Sequence, residues 1–192
     1  MGDQVFSIAA FYKFTKISLL CELQTEFYEF LESLSIKGTV LLAEEGINGT
    51  VSGSPKSIVK FKNFLFEKDL LSVSDFKVSS ADFMPFPRLK VKLKKEIVTI
   101  GNCEINPGEI VGEYVDPLDW NQLITDEDVL VLDTRNTYEV SIGSFEGAIQ
   151  PETTNFREFP EWAETEGSKL PKDKKLQCFA PVELDVKKLA RF

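Results

Sequence analysis

The 192-residue chain reads as an α+β fold followed by an α/β fold, and three features predict this. Short β-rich runs and amphipathic helical stretches alternate through the first half in the order strand, helix, strand, strand, helix, strand. The charge then changes character: residues 1–101 hold 13 Lys+Arg and 12 Asp+Glu, a net of +1, whereas residues 102–192 hold 9 and 19, a net of −10. Beyond that break "DVLVLD" is a continuous apolar run of the kind a buried parallel strand needs. The expected organisation is a first domain over 1–101 with a basic strand at 87–95, an acidic linker over 102–115, an incomplete second domain over 116–175, and an aberrant tail over 176–192.

The first strand is "VFSIAAFYKF". From Ser18 to Leu34 the apolar residues Leu19, Leu20, Leu23, Phe27, Phe30, Leu31 and Leu34 recur at helical spacing, with Glu22, Glu26, Glu29 and Glu32 filling the other side. "KGTVLLAEE" and "INGTVSG" are two strands about a Glu-Gly turn, a hairpin. Ser54-Pro55 opens a second helix with Pro in its first turn, where the missing N–H costs nothing. Its apolar stripe is Ile58, Phe61, Phe64 and Leu65, and "DFKVSSA" follows as a strand. Two helices on one side of an antiparallel sheet make the ferredoxin-like, or acylphosphatase-like, plait. The plait hosts unrelated activities, so it does not specify one. Acylphosphatase chemistry wants an arginine near the first loop to hold phosphate, and no arginine precedes Arg88.

In "FPRLKVKLKKEIVTIG", Arg88, Lys90, Lys92 and Lys94 alternate with Leu89, Val91 and Leu93. An extended strand projects the four cations from one face, roughly 6.5–7 Å apart, close to the phosphate spacing along a nucleic-acid strand. A lysine-lined edge that guards a sheet against aggregation has the same pattern, so both readings stand. Contacts of this type position RNA without reading its sequence.

In the second half, "GEYVDPLDWNQLI" is a loop and a short helix that Asp119 can cap, with Trp120 and Leu123 facing inward. Asp133 ends the apolar strand and Arg135 follows it, where open α/β folds place their functional loops. An Asp in this place also commonly ties its own turn, and Arg135 with Glu139 has the spacing of a helical ion pair. Cys21, Cys103 and Cys178 form no CxxC pair and suggest neither a disulfide framework nor a zinc knuckle. The absence of histidine makes His-dependent hydrolysis and most zinc or iron sites improbable. No cofactor or metal site is evident. Without a leader-like or membrane-spanning run, the expected setting is the cytoplasm. Nothing specifies an oligomeric state.

Four strings, "KGTVLLAEEGINGTVSG" (37–53), "FPRLKVKLKKEIVTIG" (86–101), "GEYVDPLDWNQLI" (112–124) and "VLDTRNTYEVSIGSFEGAIQPETTNFREFPEW" (131–162), together resemble the rhodanese-related tRNA uridine hydroxylases. That family joins a ferredoxin-like N-terminal domain to a rhodanese-like domain. Glu44, Glu45, Gly46, Asn48 and Gly49 match its hairpin, and Asp133, Arg135, Glu139 and Gly143 match its strand–helix signature. The resemblance implies hydroxylation at carbon 5 of the wobble uridine, with molecular oxygen as co-substrate and tRNA rather than DNA or a membrane as partner. With tRNA as partner, the basic strand reads as RNA contact through Arg88, Lys90, Lys92 and Lys94, and the matched Asp133, Arg135 and Glu139 read as an active-site scaffold; the resemblance further implies a loop cysteine within a motif of the form FCTGGIRCEK.

That motif is missing, so no catalytic residue is assigned. One allowed set of codons for "LQCFAPVELDVK" (176–187), read with a single added A in front, spells IAMFCTGGIRCE. The expectation is a one-nucleotide loss just after Lys175, which places the nucleophile where Ala180 stands. "FAPVELDVKK" has no glycine, Pro181 donates no N–H, and Glu183 and Asp185 repel an anion, so this text cannot build an amide-lined anion loop. Cys178, inside the apolar run Leu176–Phe179, reads as buried and inert. A C-terminal half that packs poorly is expected. The function expected is a tRNA hydroxylase homologue inactive in this form; an RNA-binding module without catalysis, a rhodanese-type sulfurtransferase remnant and a non-functional product are the alternatives.

Overall fold

A computed structural model describes residues 5–97 and 115–180. The chain divides into two compact units, Met1–Ile97 and Val98–Phe192. The expected boundary at 101, residues 102–114 of the acidic linker and residues 181–192 of the tail lie outside the described residues.

The first unit runs β1 (Phe6–Phe14), α1 (Leu20–Ser33), β2 (Lys37–Ala43), β3 (Gly46–Gly53), α2 (Pro55–Glu67), β4 (Phe76–Ala81) and β5 (Leu89–Leu93). The sheet order is β4-β1-β3-β2-β5. Pairings are antiparallel except β5, which lies parallel to β2. The first six elements are the expected acylphosphatase-like plait, and β5 adds a fifth strand at its edge. Alternation along β1–β3 sends Ala9, Phe11, Val40, Leu42, Ile47 and Val51 to one face. There they meet Phe27 and Leu31 of α1 and Ile58, Phe61 and Leu65 of α2. Phe30 and Phe64, half-buried, stack at 4.2 Å between centroids.

Ser54 caps α2 as its sequence predicts, its hydroxyl accepting from Ser57 N–H at 3.1 Å, with Pro55 in the first turn. Helix α1 differs from expectation at its start. Leu19 takes a left-handed conformation (φ 57°) and stays 68% exposed, so it is not part of the apolar stripe. Ile17 is buried in its place as the chain turns back onto the sheet. Two glycines are demanded by close approach: a Cβ on Gly38 (φ 131°) would lie 2.3 Å from the Thr50 carbonyl oxygen, and one on Gly46 (φ 155°) 2.1 Å from that of Lys13.

The second unit contains α3 (Trp120–Leu123), β6 (Val129–Asp133), α4 (Thr137–Val140), α5 (Phe159–Thr165) and β7 (Lys175–Phe179). Strands β6 and β7 are parallel, with Leu132 opposite Cys178 and Asp133 opposite Phe179. Ile149 bridges in parallel to Leu132. Leu132 and Phe159 form the buried centre here, ringed by half-buried Ile149, Phe156, Trp162, Ala163 and Cys178. Asp119 does not cap α3; its side chain makes no cap hydrogen bond, and Asp116 instead accepts from Leu118 N–H one turn earlier. The helix expected after Arg135 is a single turn, opened by the reciprocal cap of Asn136 and Glu139 and ending at Ser141.

Candidate functional site

Residues 87–95, expected as one strand, contain a shorter one, Leu89–Leu93. Its alternation holds: Leu89, Val91 and Leu93 pack with the helices' core, while Lys90 and Lys92 take the opposite face. Arg88 and Lys94 flank the strand and extend its ladder by backbone alone, Gly38 N–H donating to Arg88 O at 3.1 Å and Lys94 N–H to Leu42 O at 2.8 Å. Strand β5 is held from the side by α1, whose Gln24 amide donates to Val91 O at 2.8 Å. The edge therefore carries Arg88, Lys90, Lys92 and Lys94 on a fixed backbone.

In the second unit, Asp133 and Arg135 come together at the C-terminal end of β6. Arg135 Nε donates to Asp133 Oδ1 at 2.9 Å and Nη2 to Oδ2 at 2.7 Å, a two-pronged pair. Nη2 also donates to Gly143 O at 2.6 Å, and the guanidinium lies 4.8 Å over the Phe179 ring. The Asp133 side chain is wholly buried and also accepts from the Ser144 hydroxyl at 2.7 Å and its own turn's Arg135 N–H at 3.2 Å. Burial pushes this carboxyl's pKa up, but the Arg135 and Ser144 hydrogen bonds and the Arg135 charge outweigh it and hold it below the ordinary value. Glu139 does not pair with Arg135 as its spacing suggested; its carboxylate accepts from Asn136 backbone N–H at 3.2 Å and side-chain amide at 3.0 Å.

The strand end beside this pair is gripped as well. Thr134 donates from its backbone N–H at 2.9 Å and its hydroxyl at 3.1 Å to Phe179 O, the last carbonyl of β7. Phe179 meets Phe145 and Trp120 edge-on, and Trp120 stacks on Phe145 at 5.1 Å. Arg135 is a brace, with its Nε and Nη2 donors turned to the protein, and the end of β7 is the part it steadies. Thr134, Ser144 and Phe179 had no motif to announce them; the apolar–Asp strand end was the available signal. Cys178 points away into the half-buried ring around Leu132, and burial pushes its thiol up to about 11.

Residues 6–97 match the family described as UPF0176 acylphosphatase like domain. A tRNA uridine(34) hydroxylase of Bartonella quintana (strain Toulouse) is 49% identical over 92% of this chain and 58% of its own length. One of Brucella anthropi is 45% identical over the whole of this chain and 63% of its own length. A solved acylphosphatase from Coxiella burnetii overlaps 46% of the chain and 94% of its own, at 16% identity and a TM-score of 0.36. The chain spans about six-tenths of the length of the two hydroxylases. Among the described residues, no helix is long and apolar enough to cross a membrane. The chain is thus a homologue, over most of its length, of proteins named tRNA uridine(34) hydroxylase, and its own residues 6–97 form an acylphosphatase-like domain.

Proposed function

We propose that this chain carries the RNA-contacting and scaffold parts of an oxygen-dependent tRNA uridine 5-hydroxylase acting at the wobble position, and is inactive in this form. The observation that carries the reading is identity of 45–49% to relatives of that name, running through both units. In this reading the first unit binds tRNA phosphates with Arg88, Lys90, Lys92 and Lys94 in the cytoplasm, and the second unit is rhodanese-like. Dioxygen is the co-substrate. The nucleophile belongs in the loop that follows β7, whose last carbonyl Thr134 holds and whose last ring Arg135 covers. A loop cysteine works when successive backbone N–H groups converge on its sulfur and stabilise the thiolate or an adduct. The text after Phe179 offers alanine, a proline without N–H, and two carboxylates. Cys178 does not substitute, because a thiol held near 11 is almost wholly protonated at neutral pH.

The reading includes a shifted frame from Leu176 onward, and the encoding DNA tests it: restoring one nucleotide after Lys175 must open a frame that continues as rhodanese-like text. Mass analysis of tRNA from cells lacking wobble hydroxylation, complemented with the restored or unrestored gene, tests the function. Hydroxylated uridine is expected with the restored gene alone. Normal modification by the 192-residue product would sink the claim of inactivity. RNA binding without catalysis is the second reading, favoured by a basic edge strand in a first half whose net charge differs in sign from that of the acidic second half. In that case the unrestored chain binds tRNA and the restored one adds no chemistry. A sulfurtransferase instead shows thiosulfate-to-cyanide turnover by the restored protein with no change in tRNA.

A further inference from the structure

The face of the first unit's sheet opposite its helices carries a groove of a definite chemical type. Register places Lys77, Ala10, Thr50, Thr39 and Lys90 in one row across all five strands. The next row holds Tyr12, Asn48, Leu41 and Lys92. None of the five strands contains an Asp or Glu. Strands β4 and β5 are the two opposite edges of this sheet, so the connection between them, residues 82–88, has to span its width. Phe86 in that connection lines a depression of about 230 Å³ with Thr39, Leu41, Asn48 and Thr50. The depression therefore has an aromatic wall and a floor of two hydroxyls, one amide and Leu41, and the strand next to Thr39 and Leu41 carries Lys90 and Lys92 in register with them. The Asn48 amide donates to Ile97 O at 3.3 Å, which orients its own carbonyl oxygen as an acceptor.

We propose that this groove takes an unstacked base of single-stranded RNA, stacked on Phe86, with the neighbouring phosphates on Lys90 and Lys92. This rests on the reading of the chain as an RNA-binding protein and adds to it a base subsite in the first unit. An aromatic ring with flanking cations accepts bases because every base has a π-face, and it does so with little sequence preference. Phosphates alone would need the lysines and not the ring. A row of two lysines separated by a single intervening residue spans roughly one nucleotide step, which suits one base between two phosphates.

The test uses the full chain and two fluorescent probes, an eight-nucleotide oligouridine and its abasic counterpart with the same phosphates. Phe86→Leu keeps an apolar side chain and removes the ring face; Phe86→Trp keeps a ring and guards against a folding artefact. Phe86→Leu is expected to weaken oligouridine binding about ten-fold and to leave the abasic probe and the salt slope unchanged, with Phe86→Trp close to the parent. Alanine at Lys90 and Lys92 together is expected to weaken both probes and reduce the salt slope by about 1.4. Equal affinity of parent and Phe86→Leu for oligouridine, in a chain that still binds tRNA, overturns the base subsite alone. Equal weakening of both probes by Phe86→Leu does the same, since the ring is then not reading a base. Failure of the parent to bind either tRNA or oligouridine at low salt overturns the RNA-binding reading and the subsite with it.

Discussion

Replacing Arg135 with alanine puts the strand-end brace to the test. The Asp133 side chain has no solvent exposure and Arg135 only 16%. Removing one partner of such a pair leaves a carboxylate buried without its countercharge, which costs about 3–5 kcal/mol in comparable settings. Ser144 at 2.7 Å and the residue 135 backbone N–H at 3.2 Å remain to solvate it, so the lower end, about 3 kcal/mol, is expected here. Trp120 and Trp162, both of the chain's tryptophans, lie in the second unit, so tryptophan emission during a urea titration reports on that unit alone. The midpoint should fall by about 1–3 M. Adding Asp133→Asn should then return at least about 1 kcal/mol, because a neutral amide is cheaper to bury than an unpaired carboxylate. The acid limb supplies an independent reading. A carboxyl held below its ordinary value of 3.8 contributes stability that is present above that value and is lost as pH falls through the lower folded-state value. Without the Arg135 side chain only Ser144 and the residue 135 N–H oppose burial, the carboxyl moves up toward or beyond its unfolded-state value, and the stability this group loses on acidification must shrink or reverse. An unmoved urea midpoint, or single-variant costs that simply add in the double variant, would refute the brace.

Cys178 should resist iodoacetamide at pH 7.5 in the folded chain and label fully in denaturant, whereas exposed Cys21 labels in both, as peptide mass analysis reads directly. Gly38→Ala should destabilise the first unit by about 3 kcal/mol or more in thermal unfolding followed by circular dichroism, since the new Cβ meets the Thr50 carbonyl at 2.3 Å in a left-handed backbone. Ser52→Ala should raise the stability of the same unit by about 1 kcal/mol, because the Ser52 hydroxyl is buried without a hydrogen-bond partner; a loss instead would mean the hydroxyl is satisfied in solution. Ser54→Ala should cost about 1 kcal/mol by uncapping α2.

Local patterns made much of the first unit legible. The stripe Ile58, Phe61, Leu65 follows from a 3.6-residue period, and the Lys90/Lys92 against Leu89/Val91/Leu93 alternation follows from a period of two, so each side chain's face is written in its neighbours. The Ser54-Pro55 start and the two glycines under backbone constraint are equally local. The strand's true length was not legible, because Arg88 and Lys94 continue the ladder through backbone groups that any residue possesses. Nor was the choice of partner for Arg135. Spacing offered Glu139 at one helical turn, but α4 is too short to present that pair, and Asn136 takes the carboxylate first.

By itself the sequence determined which faces are apolar, where the charge divides, and that the text after β7 has no glycine and places Pro181, Glu183 and Asp185 where an anion loop would need N–H groups, since these depend on residue type and near-neighbour order. Tertiary structure alone decided that β5 joins the sheet parallel to β2, that Phe86 reaches Thr39 and Thr50, and that Thr134 and Arg135 meet Phe179 some forty-five residues away. Those contacts arise from closing long loops around a core that only the whole chain can assemble, and no local period encodes which distant edges will meet.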